Sequence, residues 1–159
     1  MFFASQTFTN IHVAITLVAI VAGLIWLYGL LRNGRMPAIT AVFLLFTVLT
    51  SLTGFLFPFH GVTPAIIVGI ISCVLLALAL AGLYLFHLAG AWRWIYVVTA
   101  VMSLYLNCFV LVVQSFQKVP ALHVLAPTGA GPVFGAAQLI VLVAFAVAGY
   151  LGVRRFRRV

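Results

Sequence analysis

The sequence predicts an all-α membrane protein, a bundle of five transmembrane helices that forms one domain over residues 1–159. Hydrophobic residues make up 67% of the chain, and its mean hydropathy is +1.36. Charged residues make up only 5% of it, whereas they are about a quarter of a soluble domain. Five stretches are apolar over the roughly 20 residues that a helix needs to cross a bilayer.

Helices are expected because lipid offers no partner for backbone N–H and C=O groups, and because barrel strands would alternate over about 10 residues. The first stretch has no Lys or Arg before it and is longer than the apolar core of a signal peptide, so we expect it to stay in the mature protein. Short breaks rich in Gly, Pro and Arg separate the first four stretches. The predicted helices cover residues 11–31, 38–59, 64–86, 94–117 and 133–153.

A longer break, residues 118–132, precedes the fifth helix. Its first half is too apolar for a free linker. Residues 121–126 are therefore expected to form a short helix on the membrane surface, bounded by Pro120 and Pro127.

The basic residues predict the orientation across the membrane. Seven of the eight fall on one side of a five-helix bundle, and only Lys118 falls on the other. Because cytoplasmic loops carry the excess of Lys and Arg, we expect the N-terminus outside and the C-terminus in the cytoplasm. The basic tail is expected to touch anionic lipid head groups rather than nucleic acid. The topology anchors are Arg32, Arg35, Arg93, Arg154, Arg155, Arg157 and Arg158.

The chain contains no Asp or Glu. This excludes carboxylate acid–base catalysis and carboxylate cages for magnesium or calcium. Strips of small residues, such as Ala144, Ala148 and Gly152 in the fifth helix, are typical of helix contacts. These features favour a protein that is not an enzyme and has no cofactor. The leading hypothesis is an accessory or scaffold subunit, with the lipid bilayer and either a membrane complex or a second copy of the chain as its partners.

Helix four carries a polar stripe, which is the basis of a second hypothesis. At 100° per residue its members fall within roughly 100° of arc. They are Tyr96, Thr99, Ser103, Asn107, Gln114 and Lys118. Asn107 near mid-bilayer needs a partner, which is expected to be a hydroxyl such as Thr47, Thr50 or Ser51 on helix two. The alternative is that the stripe forms the wall of a polar path or of a small-ligand pocket. With a polar path, the protein is a small channel or carrier for a neutral or anionic solute.

Three histidines support a third hypothesis, a membrane redox protein. His12, His60 and His123 are all predicted near the outer face. Neutral imidazole binds copper, zinc and haem iron well. The cofactor that these residues would hold is haem b or copper.

Several stretches carry a resemblance to a known family. They read TGFLFPFHG at 53–61, HLAGAWRWIYV at 87–97, LYLNCFVLVVQ at 104–114, and KVPAL at 118–122 with LAPT at 125–128. They resemble a family of small bacterial inner-membrane proteins of uncharacterised function, over most of the chain. The resemblance implies a multi-pass protein of the bacterial inner membrane and no known activity. After the Ala-Pro-Thr the family continues Gln-Ser-Glu-Pro-Pro-Phe, whereas residues 129–134 here lack the carboxylate.

Overall fold

The structure, a computed structural model, describes residues 2–157, and within that range all regular secondary structure is helical. The helices are α1 (Gln6–Leu31), α2 (Pro37–Gly54), α3 (Pro64–Leu80), α4 (Trp92–Lys118), α5 (Pro120–His123) and α6 (Pro132–Arg155). A 3₁₀ turn, Phe2–Ala4, precedes α1, and a π-helical turn, Ala81–Leu85, continues α3. In the described range five helices are long and apolar enough to cross a membrane. The predicted all-α fold with five helices long and apolar enough to span a membrane is therefore confirmed.

Helix α1 begins earlier than hydropathy predicts, at Gln6 rather than Ile11. The reason is a local cap: the Ser5 side-chain oxygen accepts a hydrogen bond from the Phe8 N–H at 3.2 Å. Such a cap satisfies one of the free N–H groups of the first turn and lets polar residues start the helix.

Helix α2 ends at Gly54, so the prediction that it continues to Phe59 is wrong. The N–H groups of Phe55 and Leu56 donate to carbonyls three residues back, which tightens the chain out of the α-helix. Pro58 has no N–H and disfavours the helical conformation at the residue before it. In the same way, α5 stops at His123 rather than continuing to Ala126, the residue before Pro127.

Helix α3 continues into the π turn and ends in an unusual loop. The Phe86 N–H donates to the Ala81 carbonyl at 2.9 Å, and the Leu88 N–H donates to the Gly82 carbonyl at 2.8 Å. His87 and Leu88 have φ values of 49° and 60°, which non-glycine residues seldom adopt. A Cβ on Gly82 would lie 3.2 Å from the Trp92 carbonyl oxygen, so the glycine lets this turn approach α4 closely.

Helix α4 lies at the centre of the bundle and contacts α1, α2, α3 and α6. Its side chains Val97 and Leu104 are fully buried, as is Phe43 from α2. At Gly23 the backbone of α1 comes so near that an added Cβ would lie 2.5 Å from Leu104 Cδ1. Helices α1, α2 and α4 thus pack closely where they meet.

Helix α6 packs on the outside of the bundle. Gly152 is buried, and a Cβ there would lie 3.0 Å from both Leu30 Cδ2 and Val97 Cγ1. Ala144, by contrast, is exposed and Ala148 is half-buried, so only one end of the predicted small-residue strip lies against other helices.

The helix order gives the bundle two chemically different ends. The basic end carries Arg32, Arg35, Arg93, Arg154, Arg155 and Arg157, and contacts between segments tie it together: the Arg157 N–H donates to Asn33 Oδ1 at 2.8 Å. The histidine end carries His12, His60, His123 and Lys118. Arg158, the remaining predicted anchor, lies outside the described residues.

A candidate ligand pocket at the basic end

A cavity of about 410 Å³ opens at the basic end, and we call it the aromatic pocket. It lies between four segments: the end of α1 with the beginning of α2, the π turn with its loop, the beginning of α4, and the residues that follow α6. Its floor is formed mainly by Trp26, Leu30, Leu83, Tyr96 and Phe156. Its exposed lining residues, the rim, include Arg35, Tyr84 and His87, and the rest of the lining includes the buried residues Thr40 and Leu88.

A buried hydrogen bond fixes the floor of the aromatic pocket. Trp26 Nε1–H donates to the Tyr96 hydroxyl oxygen at 2.9 Å, and both side chains are less than 5% exposed. The Trp26 ring also stacks on Phe43, with ring centroids 5.0 Å apart. Because a buried indole N–H and a buried phenol each need a partner, this bond holds the two rings in one arrangement.

The rim and Thr40 supply the polar and charged groups. Arg35 and His87 are exposed and bring a guanidinium and an imidazole to the opening. Thr40 Oγ1 donates to the Met36 carbonyl at 2.8 Å, which leaves its oxygen lone pairs as acceptors. The pocket therefore combines an apolar floor with a cationic rim.

Unusual backbone surrounds this opening. The π turn contributes Leu83 and Tyr84, and the positive-φ pair His87 and Leu88 follows it. Single π turns and positive-φ non-glycine residues occur frequently at functional sites. The Phe86 and Trp92 rings stack with their centroids 4.2 Å apart and so join the two ends of the loop. The strained segment is thus held in place and is part of the pocket wall.

Deeper in the bundle, the polar stripe of α4 is bonded internally. Thr99 Oγ1 donates to the Ile95 carbonyl at 2.7 Å and Ser103 Oγ donates to the Thr99 carbonyl at 2.8 Å. Asn107 Nδ2 donates to Thr47 Oγ1 at 3.3 Å, so its partner is one of the three hydroxyls that the sequence indicates. The two hydroxyls are thus satisfied within α4, and the Asn107–Thr47 bond joins this part of the stripe to α2.

The part of the stripe nearest the histidine end lies in a different environment. Tyr96, Thr99, Ser103 and Asn107 are buried together, but Gln114 is exposed. Lys118, at the end of α4, is exposed as well. The structure therefore brings together the members in the basic half of the helix and leaves the others at the surface.

The three histidines lie at the histidine end in separate settings. His12 Nδ1 shares a hydrogen bond with Thr53 Oγ1 at 2.7 Å. His123 Nδ1 lies 3.3 Å from the Phe116 carbonyl oxygen, and His60 is exposed in the loop between α2 and α3. Among residues 2–157 no three His, Cys, Asp or Glu side chains form a group that could hold a metal ion.

The arginines of the basic end take different roles. Arg93 Nη1 donates to the Val153 carbonyl at 2.9 Å and to the Phe156 carbonyl, and so caps the end of α6. Arg32 lies 5.6 Å from the Tyr28 ring centroid, and Arg154 lies 5.6 Å from that of Tyr150. Arg155 is exposed. These pairs place charged groups beside aromatic rings, as is typical of a membrane interface.

Sequence reasoning missed two features. Trp26, Thr40 and the π turn were not assigned to a site, because they come from separate segments. Gln138 was also missed: its Nε2 donates to the Phe109 carbonyl at 3.2 Å, while its buried Oε1 has no partner among the described residues. A lone amide in an apolar helix was the available signal, as it was for Asn107.

Comparison of the chain with protein families, with curated proteins and with solved structures finds no match.

Proposed function

We propose that the protein is a non-catalytic accessory protein of the bacterial inner membrane that holds a small amphiphilic anion in the aromatic pocket. The observation that supports ligand binding is the lining of this cavity, which has buried aromatic rings in its floor and Arg35 and His87 at its rim. Its volume of about 410 Å³ is in the range of small-molecule sites, about 300–1,000 Å³. The absence of Asp and Glu supports a non-catalytic role, since carboxylate acid–base chemistry is excluded.

The chemistry of the ligand follows from the two halves of the pocket. The planar guanidinium of Arg35 suits a carboxylate, which it binds with two parallel N–H donors. The Trp26 and Leu30 side chains suit an apolar tail. The chain has no acidic side chain that would repel an anion. A short fatty carboxylate therefore serves as the probe.

Trp26 provides the measurement, because its indole ring lies in the floor of the pocket. In a protein with Trp92→Phe and Trp94→Phe, Trp26 is the single tryptophan. We expect decanoate to change its fluorescence saturably in nanodiscs. Decyltrimethylammonium, which has the same tail and the opposite charge, is expected to bind much more weakly.

Matched variants test the role of the rim. Arg35→Gln is expected to weaken decanoate binding, whereas Arg32→Gln, at the same end of the bundle but not in the pocket lining, leaves it unchanged. Equal binding of decanoate and decyltrimethylammonium would show that the charge of the ligand is not recognised and would refute the proposal.

The membrane and the orientation are further parts of this proposal. The N-terminus lies outside and the basic end lies in the cytoplasm, which is supported by the excess of arginine at that end. The bacterial inner membrane is supported by the resemblance carried by residues 53–61 and 87–97.

In a protein with Cys73→Ala and Cys108→Ala, Val62→Cys should react with an impermeant maleimide in intact cells. Ala89→Cys should react only after permeabilisation, and the opposite pattern would reverse the orientation.

The accessory role predicts a partner within the membrane. Purification in a mild detergent should recover a stoichiometric membrane protein or a homo-oligomer, as native mass spectrometry would detect. A stable monomer without any partner would contradict the accessory role while leaving ligand binding in the pocket to its own test.

The redox hypothesis has an independent test. Protein expressed with haem and copper supplied should be examined for a Soret band and for bound metal. Stoichiometric haem or copper that is lost in His12→Ala would favour a redox protein over an accessory protein.

A further inference from the structure

A second concave surface at the basic end, which we call the basic groove, lies outside the aromatic pocket floor. Its volume is about 580 Å³, and it is lined by Leu88, Gly90, Arg93, Val153, Arg154 and Arg157. Half of these six residues are arginines. The groove lies where the loop before α4 meets the end of α6.

The arginines line the groove from the beginning of α4, from the last turn of α6 and from the residues that follow α6. Arg93, in the first turn of α4, is half-buried and is held by its bonds to the carbonyls of Val153 and Phe156. A guanidinium has five N–H donors, and these two bonds use only one of its nitrogens. Arg154 and Arg157 are exposed at the end of α6 and bring further donors to the same groove.

These charges have no acidic side chain to neutralise them. The whole sequence contains 8 Lys and Arg residues and no Asp or Glu. The carbonyls at the end of α6 offset part of the charge of Arg93 only. Guanidinium groups gathered around one concavity therefore favour an anion from outside the chain, and a phosphate group matches their geometry best.

The surface below the groove indicates where the phosphate comes from. Arg154 Nη1 donates to the Tyr150 hydroxyl at 2.8 Å. At steps of three and four residues, the same face of α6 continues through Val147, Val143 and Ile140, which are all more than half exposed. This row of exposed apolar side chains extends from the groove toward the middle of the helix. An acyl chain takes the same path beneath its head group.

We propose that the basic groove binds the phosphate group of an anionic phospholipid, with the acyl chain lying along the exposed face of α6. Basic pockets between helices at the cytoplasmic surface bind such head groups in other membrane proteins. The groove shares Leu88 with the aromatic pocket but none of its basic residues, so it does not depend on the ligand proposed there.

The experiment measures lipid retention by native mass spectrometry. The protein is placed in phosphatidylcholine nanodiscs that contain a small fraction of phosphatidylglycerol, and the lipids that remain bound after release are identified. We expect the wild-type protein to retain phosphatidylglycerol selectively. The double variant Arg154→Gln/Arg157→Gln should retain it at least about tenfold less, because charge-assisted hydrogen bonds to the phosphate are lost.

A matched double variant separates a site from general attraction. Arg32→Gln/Arg155→Gln removes the same charge from the same end, and neither residue lines the groove. Arg32 also pairs with Tyr28 as Arg154 pairs with Tyr150. An equal loss of lipid in both double variants would overturn the proposal, because attraction would then depend on net charge alone.

Two further arms identify the chemistry. Arg154→Lys/Arg157→Lys keeps the charge but loses the planar fork, so it should restore retention only in part. Inorganic phosphate, added at the same concentration as the phosphatidylglycerol, should not displace this lipid from the protein. Displacement by inorganic phosphate would show that the groove takes a soluble phosphate and would overturn the assignment to a lipid.

Discussion

Replacing Gly23 with alanine tests how tightly α1 packs against α2 and α4. An added Cβ would lie 2.5 Å from Leu104 Cδ1 and 2.9 Å from Phe43 Cδ2. Carbon atoms in favourable contact are about 3.5–4.0 Å apart, so the neighbours would have to move by on the order of 1 Å. Leu104 and Phe43 are both fully buried, so their movement has to be taken up by other core side chains.

The magnitude is the balance of two opposite effects. Overpacking a core costs about 1–3 kcal/mol, whereas replacing a helical glycine with alanine returns about 1 kcal/mol. Gly23→Ala should therefore lower the free energy of unfolding by up to about 2 kcal/mol. A matched control is Gly135→Ala in α6, where an added Cβ meets no atom of residues 2–157 within 4 Å. That change should be neutral or raise stability by up to about 1 kcal/mol.

The difference between the two variants isolates the cost of overpacking, because the gain in helix propensity is common to both. Reversible unfolding in mixed micelles, followed by tryptophan fluorescence, measures both free energies on one scale. The expected difference is about 1–3 kcal/mol. If the two variants unfold with the same free energy, the close packing of α1 described here is incorrect.

Three other experiments test hydrogen bonds within the bundle. A double-mutant cycle on Asn107→Leu and Thr47→Val should give a coupling of about 0.6 kcal/mol and not more than about 1.7 kcal/mol, as for other membrane helices; no coupling would contradict the bond. Tyr96→Phe leaves the Trp26 N–H unpaired and should cost about 1–3 kcal/mol, with a shift in Trp26 emission; unchanged stability and emission would argue against that bond. Gln138→Leu should change stability by less than about 1 kcal/mol, because it removes an unpaired buried oxygen together with a hydrogen bond; a loss as large as that for Tyr96→Phe would indicate an unseen partner.

The positions of the helices were predictable because the bilayer dictates them. A stretch of about 20 apolar residues has few alternatives to a helix in lipid, whatever its neighbours are. The helix ends were less predictable, since they depend on single residues such as Ser5 and Pro58, which act through local hydrogen bonds and backbone sterics. The partner of Asn107 was predictable to within three residues because α2 offers few hydroxyls near that depth.

The aromatic pocket was not predictable from the sequence. Its residues come from four separate segments, and the π turn that shapes one wall is stabilised by packing of Gly82 against α4 rather than by a sequence motif. Periodicity also failed at Gln114. In that part of α4 the buried residue is Phe116. The Phe116 carbonyl oxygen accepts a hydrogen bond from His123 Nδ1, because α5 folds back onto α4.

The hydrogen bonds inside α2 and α4 have a consequence for the order of assembly. Thr99, Ser103 and Thr47 each donate to a carbonyl of their own helix, so these hydroxyls are satisfied as soon as each helix enters the lipid. Trp26 and Asn107 differ, because their partners lie on other helices. During biogenesis α1 therefore enters the bilayer with an indole N–H whose partner, Tyr96, is synthesised later. Arrival of α4 completes both bonds and fixes the register of α1 and α2 against it.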